Sequence, residues 1–340
     1  MTTVHKQTIA LVLYSGGLDS TLACRVVAEQ GIKVIAVKFV TPFFGYDLLL
    51  KKEDYIKSTK EKFGIDLLLK DVTVPYLELL KKPAHGFGKY FNPCIDCKIF
   101  LLSEAKEMMP ETGASFLVTG EVIGQRPMSQ RRDTLRVIER DSGCEGILVR
   151  PLCAKNLEPT QAELEGLIDR EQLLAFSGRN RTPQMKLAEQ FGITDYPSPA
   201  GGCILADPVL SERIQEYYLQ NKKIVPEDIL LLLVGRQFHL PTGGWLVVGR
   251  NLQDNEKIEA LQKPGDWLLQ PSIIPGPTAI LRDSSNPEEL VTAAALVVRY
   301  SKKSAVGKGP VKIIAEQNSK QQLLDARPLD DSIFKSWLKK

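Results

Sequence analysis

A loop that could bind phosphate lies near the start of the chain, between an apolar run and a helical pattern. Residues 15–20 read Ser-Gly-Gly-Leu-Asp-Ser and follow the apolar residues 8–14. Gly16 and Gly17 lack a Cβ atom, so the backbone can turn sharply and approach an anion closely. Amides at the start of the next helix point towards such an anion, and the helix dipole favours negative charge there. The pattern predicts a phosphate site to which Ser15 and Ser20 donate hydroxyl hydrogen bonds.

Asp19 and the residues that end the loop indicate which kind of phosphate site this could be. A carboxylate is a poor direct neighbour for phosphate, so Asp19 is expected to hold Mg²⁺ or to orient the loop. The loop lacks the Gly-Lys-Ser/Thr ending of a Walker A site. The alternative is a plain strand–helix turn in which Asp19 caps the helix.

The six-residue string resembles the Ser-Gly-Gly-x-Asp-Ser signature of the PP-loop ATP pyrophosphatases. This resemblance implies that ATP is cleaved between its α- and β-phosphates, so that the substrate becomes an adenylate and pyrophosphate leaves. It also implies that backbone groups at the end of the second strand, near Val37, Lys38 and Phe39, read the adenine.

A second polar string follows a predicted strand near the middle of the chain. Residues 118–125 read Val-Thr-Gly-Glu-Val-Ile-Gly-Gln. Ligands bind at the carboxyl ends of parallel strands, so Gly120 and Glu121 are expected beside the nucleotide. With the Ser-Gln pair that follows, the string is similar to a segment of the 4-thiouridine synthetases. The residues expected on its RNA side are Gln125, Ser129, Gln130, Arg131 and Arg132, although a solvated helix face fits the arginines equally well.

The 4-thiouridine synthetases carry an RNA-binding region ahead of the PP-loop. Here the loop starts at residue 15, so we expect no such region before it. The resemblance therefore leaves the target nucleotide open.

Three of the six cysteines are candidates for sulfur chemistry. Cys94 and Cys97 lie in Asn-Pro-Cys-Ile-Asp-Cys, which is similar to the Asn-Pro-Cys-x-x-Cys segment of the tRNA 2-thiouridylases. Cys203 occupies the place where those enzymes keep a second reactive or ligating cysteine. Three thiolates could hold a 4Fe–4S cluster with one iron open to sulfide, which we favour slightly. Alternatively, Cys203 carries a persulfide that Cys94 or Cys97 resolves. A zinc site would need a fourth ligand that no nearby histidine supplies.

The C-terminal third resembles the RNA-binding domain of the NFACT ribosome-rescue proteins. The resemblance rests on strings within residues 249–256, 265–268 and 293–302. Residues 297–340 contain ten Lys/Arg against four Asp/Glu, a local basic excess. Arg250, Lys302 and Lys303 are candidate phosphate contacts, and Trp245 and Trp267 could stack a base. The alternative is that both tryptophans belong to the core and the lysines only solvate the surface.

The whole-chain composition sets limits on the class of protein. The 340 residues carry a formal net charge of only +3, too weak to indicate nucleic acid without a local basic surface. No signal peptide starts the chain and no apolar run reaches the roughly 18 residues of a membrane span, so we expect a cytoplasmic protein that does not engage a membrane. With three histidines, a Ser–His–Asp hydrolase and a His-rich zinc site are both disfavoured.

The elements that must position these residues alternate between strands and helices. Strands are predicted at residues 8–14, 33–40, 65–72, 115–119 and 147–152, with helices at 20–30, 47–63 and 100–109. This alternation predicts a doubly wound α/β PP-loop (HUP-like) domain with a parallel sheet over residues 1–176. A turn-rich linker over 177–208 carries Cys203, and a smaller α+β RNA-binding domain covers 209–340.

Together these features favour an ATP-dependent tRNA sulfurtransferase that adenylates a base carbonyl, with uridine as the expected base. Its partners would be tRNA and a sulfur donor, either sulfide or a persulfide-carrying protein, and a homodimer is one arrangement for it. Two alternatives remain: a PP-loop enzyme that adenylates a small molecule for sulfur insertion or amide formation, and a non-catalytic RNA-binding protein.

Overall fold

The computed structural model describes residues 7–197, 203–221, 223–302 and 309–339. It divides into two compact units, residues 1–207 and residues 208–340. Within the described ranges, no helix is both long and apolar enough to cross a membrane.

The N-terminal unit is built on a five-stranded parallel sheet in the order β3-β2-β1-β4-β5. The strands are β1 (Ile9–Leu13), β2 (Lys33–Val40), β3 (Asp66–Asp71), β4 (Phe116–Thr119) and β5 (Leu148–Val149). The chain moves outwards from β1 to β3 and then crosses to β4 on the other side. The strand order therefore reverses between β1 and β4, and ligands of such sheets bind outside the carboxyl ends of the strands at this reversal.

Helices cover both faces of this sheet, as the doubly wound prediction requires. Ala10 and Val12 of β1 belong to one buried apolar cluster, while Leu11 between them belongs to another. The first cluster includes residues of α1 (Leu18–Ala28) and α8 (Thr182–Gln190), and the second includes residues of α4 (Cys94–Glu107) and α6 (Arg132–Asp141). The helices are α1 (Leu18–Ala28), α2 (Lys52–Phe63), α3 (Thr73–Leu79), α4 (Cys94–Glu107), α5 (Met109–Thr112), α6 (Arg132–Asp141), α7 (Gln161–Leu164) and α8 (Thr182–Gln190).

Two helices begin well away from their predicted first residue. The sequence pattern places a helix at 100–109, but α4 begins at Cys94, so the cysteine pair lies on its first turn. In the helix predicted over 47–63, the first part is a 3-10 turn, Tyr46–Lys51, and α2 starts only at Lys52.

The C-terminal unit is an antiparallel sheet with helices, which confirms the predicted α+β class. Its seven strands run in the order β11-β10-β8-β9-β7-β6-β12. They are β6 (Arg236–His239), β7 (Trp245–Val248), β8 (Trp267–Pro271), β9 (Ala279–Arg282), β10 (Val311–Gln317), β11 (Lys320–Ala326) and β12 (Leu338–Lys339). The helices are α9 (Pro208–Gln220), α10 (Pro226–Leu232), α11 (Leu252–Ala260), α12 (Pro287–Tyr300) and α13 (Asp331–Phe334). One face of α12, including Ala293, Leu296 and Val297, is buried in the core of this unit.

Candidate nucleotide and sulfur site

The predicted phosphate loop lies directly after β1, at the reversal of strand order. Gly16 has a φ of 85°, in the left-handed region that glycine tolerates best. The hydroxyl oxygens of Ser15 and Ser20 are 3.1 Å apart, and the Ser20 hydroxyl donates to the Gly17 carbonyl at 2.9 Å. Helix α1 begins at Leu18 with Gly17 in extended conformation as its N-cap residue. The amides of the first turn of α1 therefore lie next to the loop, as phosphate binding requires.

Lys38 reaches this loop with its side chain. Its ammonium donates to the Ser15 carbonyl, and a Cβ atom on Gly16 would lie 3.2 Å from the Lys38 Nζ and 2.9 Å from the Tyr55 hydroxyl. Burial lowers the pKa of the Lys38 amine to about 8. The sequence-based expectation concerned the backbone here, whereas the structure brings a cation to the loop.

The other two residues of the predicted adenine segment are part of the sheet core. Val37 and Phe39 are buried, and the Val37 carbonyl accepts a hydrogen bond of 2.8 Å from the Tyr14 amide. Their backbone lies at the carboxyl-terminal half of β2, next to the loop after β1.

Asp19 is held by side chains from distant parts of the chain. Gln125 Nε2 donates to Asp19 Oδ2 at 2.9 Å, and Arg181 Nη2 lies 3.7 Å from the same oxygen. Gln184 Nε2 lies 3.4 Å from Gln125 Oε1 and so continues the network. Asp19 Oδ1 is buried and has no hydrogen-bond partner among the described residues. This oxygen is suited to a cation or to a donor on a bound ligand.

Gly120 brings the string after β4 against the phosphate loop. A Cβ atom at this position would lie 2.5 Å from the carbonyl carbon and oxygen of Asp19 and 2.6 Å from the Ser20 amide. Such distances are too short for any side chain, so glycine is required for the two loops to meet. The two strings singled out in the sequence therefore form one site.

Glu121 is the centre of a buried group of charges. Its carboxylate accepts from Arg150 Nε at 3.0 Å and from the Thr119 hydroxyl at 3.2 Å, and Lys98 Nζ lies 3.4 Å from its other oxygen. Arg150 also pairs with Glu139. Burial opposes ionisation of Glu121, but the charges on Lys98 and Arg150 outweigh it and lower its pKa. The predicted nucleotide residue thus ties β4 to α4, the helix that carries two of the cysteines.

The loop before α4 is anchored to that helix. The Asp96 carboxylate accepts from the Ala84 amide at 2.9 Å and from the His85 amide at 3.0 Å. Asn92 Nδ2 lies 3.1 Å from the Cys94 sulfur. These bonds fix the first turn of α4 and the position of its sulfur atoms.

The three candidate cysteines approach one another around Tyr76. The Tyr76 hydroxyl is hydrogen-bonded to the Cys97 sulfur, and the charges of Cys94, Cys97 and Cys203 all act on Tyr76. Burial raises the pKa of the Cys97 thiol to about 11, although Tyr76 and the Lys98 charge oppose this. Cys203 is exposed, whereas Cys94 and Cys97 are partly buried. The structure therefore groups the sulfur atoms that the sequence could only name separately.

Among the described residues, no group of three or more His, Cys, Asp or Glu side chains is arranged to hold a metal ion. All six cysteines are free, and Cys24, Cys144 and Cys153 are buried.

The residues expected on the RNA side of the N-terminal unit differ in exposure. Ser129 and Gln130 are buried, and the Gln130 carbonyl accepts from the Gly124 amide at 2.7 Å. Arg132 donates to the Asn156 carbonyl at 2.8 Å. The Arg131 side chain is 65% exposed and therefore remains available to a phosphate.

In the C-terminal unit, the candidate cations are also partly engaged. Arg250 pairs with Asp254 at 2.6 Å but keeps half of its side chain exposed. Lys302 is exposed, and Lys303 lies outside the described residues. Trp245 is only 8% exposed, and Trp267 packs against the core, so neither is an open stacking platform.

Two stretches of the chain match known families. Residues 235–338 match the family model described as NFACT protein RNA binding domain. Residues 5–159 match the model described as Thiamine biosynthesis protein (ThiI). These matches confirm the two resemblances that the sequence strings predict.

Curated proteins with similar sequences are named as tRNA sulfurtransferases. Proteins of Lysinibacillus sphaericus and Thermococcus kodakarensis, each named probable tRNA sulfurtransferase, are 25% identical over 147 residues and 27% identical over 149 residues. These alignments cover 43% and 44% of this chain but only 35% and 38% of the relatives, so the chain spans little more than a third of their length. A solved 4-thiouridine synthetase in complex with RNA and ATP is 25% identical, with a TM-score of 0.35, and the match covers 54% of this chain and 50% of that one.

Proposed function

We propose that this chain is an ATP-dependent tRNA sulfurtransferase. The observation that carries the proposal is the contact between Gly120 and Asp19, because it joins the phosphate loop to the string typical of 4-thiouridine synthetases in one site. The names of the similar curated proteins and the family match over residues 5–159 support the same activity.

In the first step, ATP would bind with its phosphates against the loop. Ser15, Ser20 and the amides at the start of α1 donate to phosphate oxygens, and the Lys38 ammonium adds positive charge. Asp19, whose Oδ1 has no hydrogen-bond partner among the described residues, is the residue that would hold Mg²⁺, which would neutralise charge on the departing pyrophosphate. The base carbonyl oxygen bonds to the α-phosphorus, the bond to the bridging oxygen breaks, and the uridine N3 proton leaves.

In the second step, sulfur would replace the activated oxygen. The terminal sulfur of a persulfide on Cys203 attacks the adenylated carbon, and AMP leaves with the oxygen. Cys94 or Cys97 then attacks the disulfide between Cys203 and the base sulfur. The thiolated base leaves, and an external thiol reductant must supply two electrons to the cysteine disulfide that remains.

We prefer this relay to an iron–sulfur cluster because its first step needs an exposed sulfur atom, which Cys203 provides, and a second thiol nearby. The exposed Cys203 is accessible to a sulfur-carrying protein, while Cys94 and Cys97 lie beside Tyr76. Anaerobic purification followed by iron, sulfide and visible absorption measurements decides between the two mechanisms. Stoichiometric iron would show that the cysteines hold a cluster and would contradict the relay. Acting on tRNA, the enzyme would work in the cytoplasm.

The experiment that tests the proposal measures pyrophosphate release and thionucleoside formation in the same set of variants. Cys203→Ala is expected to lose the thionucleoside from tRNA of a complemented deletion strain while tRNA-dependent pyrophosphate release continues. Asp19→Asn is expected to lose both. An unchanged thionucleoside profile in Cys203→Ala would refute the proposal, and ATP–pyrophosphate exchange driven by a free carboxylate without tRNA would favour a small-molecule substrate instead.

A further inference from the structure

The loop between α3 and α4 presents an aromatic side chain to solvent just before the cysteine pair. This aromatic loop covers residues 83–92 and contains Phe87, Tyr90 and Phe91. Phe87 is 39% exposed, whereas Phe91 is only 5% exposed. Their rings are stacked, with centroids 4.4 Å apart and an interplanar angle of 19°. A buried ring therefore supports Phe87 from one side, and the exposed part of Phe87 is turned away from it.

The aromatic loop is held in place by its own hydrogen bonds and by a contact with α6. The Gly88 amide donates to the Asn92 carbonyl at 2.9 Å, and the Tyr90 amide donates to Asn92 Oδ1 at 3.1 Å. His85 Nε2 lies 2.9 Å from Asp141 Oδ2, at the last residue of α6. A side chain that is already oriented loses little conformational entropy when it binds a ligand.

The aromatic loop also contacts both parts of the proposed site. A Cβ atom on Gly88 would lie 2.6 Å from Asn92 Nδ2 and 2.8 Å from Met128 Sδ, so the loop packs against the polar string that follows β4. The same Asn92 Nδ2 lies 3.1 Å from the Cys94 sulfur. The residue that follows Phe87 is thus separated from this sulfur by one side-chain amide.

The charge of the aromatic loop indicates the kind of ligand that its ring could bind. A single exposed apolar side chain is ordinary on a protein surface, so its neighbours decide what it can bind. Residues 80–93 contain three lysines and no Asp or Glu. Lys81 is paired with an acidic neighbour, but Lys82 and Lys89 are exposed, as is Arg126 of the string that packs on the loop. An exposed aromatic ring with cations beside it is the arrangement that binds single-stranded nucleic acid.

We propose that the aromatic loop binds an unpaired nucleotide of the tRNA substrate, with the base stacked on Phe87 and flanking phosphates near Lys89 and Arg126. Stacking needs no hydrogen-bond match, so the loop accepts any base and positions the strand beside Cys94 rather than selecting its sequence. The inference deepens the proposed function, since it rests on tRNA being the substrate of the N-terminal unit.

Ultraviolet cross-linking of the full-length protein to an unmodified tRNA transcript tests the contact directly. The peptide that contains Phe87 is expected to carry a cross-linked nucleotide. Phe87→Leu keeps an apolar side chain against Phe91 but removes the ring, so this cross-link should disappear. Leu164→Ala, an exposed apolar position of α7, is the matched control and should retain it. Cross-links that occur only on other peptides overturn the inference.

Affinity for the same transcript provides a second measurement that does not depend on turnover. Phe87→Leu should weaken tRNA binding roughly tenfold, as expected for the loss of one base stack, and Phe87→Tyr should restore it. Lys89→Gln should lower the slope of log Kd against log salt concentration by about 0.7, the value for one phosphate contact on a single strand. Lys57→Gln, an exposed position of α2, should leave the slope unchanged. ATP affinity, measured by calorimetry, should be equal in all of these proteins.

Equal tRNA affinity in Phe87→Leu and its parent overturns the inference. Normal tRNA binding by Phe87→Leu together with a loss of sulfur uptake from a persulfide-carrying protein also overturns it, because the loop would then bind that donor. The two proposals fail separately. Cys203-dependent thiolation that is indifferent to Phe87 removes only this inference, whereas tRNA binding through Phe87 without thiolation removes only the proposed activity.

Discussion

Gln125 Nε2 donates a hydrogen bond of 2.9 Å to Asp19 Oδ2, although 106 positions separate the two residues in the chain. The sequence-based expectation placed Gln125 on the RNA side, and its amide instead orients the carboxylate of the nucleotide loop. An activation step that depends on Asp19 therefore also depends on Gln125.

Replacement of Gln125 by Ala should slow pyrophosphate release. A hydrogen bond to a charged group contributes about 1.5–3 kcal/mol, so we expect a loss of roughly 10- to 150-fold in kcat/KM for ATP. Gln125→Glu should be worse, because it places a second carboxylate beside Asp19. Gln190→Ala, at the exposed end of α8, is the control and should retain full activity; equal rates for all of these proteins would show that the contact is not used.

Gly120→Ala should disrupt the nucleotide site through overpacking. Its Cβ atom would lie 2.5 Å from the Asp19 carbonyl oxygen, so the two loops must separate. Overpacking of this kind costs about 1–3 kcal/mol, and we expect both weaker ATP binding by calorimetry and a lower free energy of unfolding. Gly309→Ala adds the same atom at a position where no atom of the described residues lies within 4 Å, and it should change neither quantity. ATP affinity in Gly120→Ala equal to that of the parent would contradict the close approach.

ATP affinity should fall as pH rises through about 8, the pKa to which burial lowers the Lys38 amine. Below this pH the ammonium is charged and attracts phosphate; above it the amine is neutral, while exposed lysines keep their charge. Bound phosphate favours the ammonium, so ATP binding near this pH should take up protons, which calorimetry in buffers of different ionisation enthalpy detects. Lys38→Met should weaken binding and remove the pH dependence. Lys33→Met, at the exposed start of β2, should preserve it.

Tyr76→Phe should separate the sulfur step from the ATP step. The variant keeps the buried ring but removes the hydroxyl that bonds to the Cys97 sulfur. Because this bond favours the thiolate, its loss should raise the pKa of Cys97 further and slow thionucleoside formation roughly fivefold, about the effect of 1 kcal/mol. Pyrophosphate release should be unchanged in Tyr76→Phe, and Tyr90→Phe should affect neither step. A parallel loss of both activities would indicate a general structural defect.

Arg150→Met should destabilise the N-terminal unit. Glu121 would remain buried with only Lys98 to balance it, and breaking a buried ion pair in this way costs about 3–5 kcal/mol. The double variant Arg150→Met/Glu121→Gln should recover part of that loss in chemical denaturation. The pKa of Glu121 is lowered in the folded state, so its contribution is present above the unfolded pKa and is lost as pH falls through the folded value. No recovery in the double variant would mean that Lys98 alone balances the charge.

The sheet and the phosphate loop could be predicted because their signals are local. Buried parallel strands such as β1 and β2 are continuous apolar runs, and the loop between β1 and α1 has a specific six-residue string. The bounds of α4 were wrong because no apolar period marks its first turn. That turn is fixed instead by Asp96, which accepts hydrogen bonds from the Ala84 and His85 amides.

The contacts of the site could not be predicted, because they join segments far apart in the sequence. Gln184 of α8 and Arg181 just before that helix reach the Asp19 network, from a stretch that the sequence predicts as a linker with a short helix at 184–191. Glu121 lies in a family string, but its pairing with Arg150 in the core depends on the crossing from β4 to β5. No sequence pattern points to Tyr76, because its role depends on the Cys97 sulfur, which the fold brings beside it.

Helices α9 and α10 determine how the C-terminal unit can be dissected. Asp228 of α10 forms ion pairs with Arg282 and Lys263, both at 2.6 Å. In addition, Gln237 Nε2 donates hydrogen bonds to the carbonyls of Leu231 and Val234 at 3.0 and 2.6 Å. A fragment cut at residue 235, where the family match begins, would leave Arg282 without one of its two carboxylates and would open the side of β6. A fragment that begins at Pro208 retains these ion pairs and hydrogen bonds. A fragment that begins at residue 235 would be destabilised by their loss, so its properties would not represent those of the intact unit.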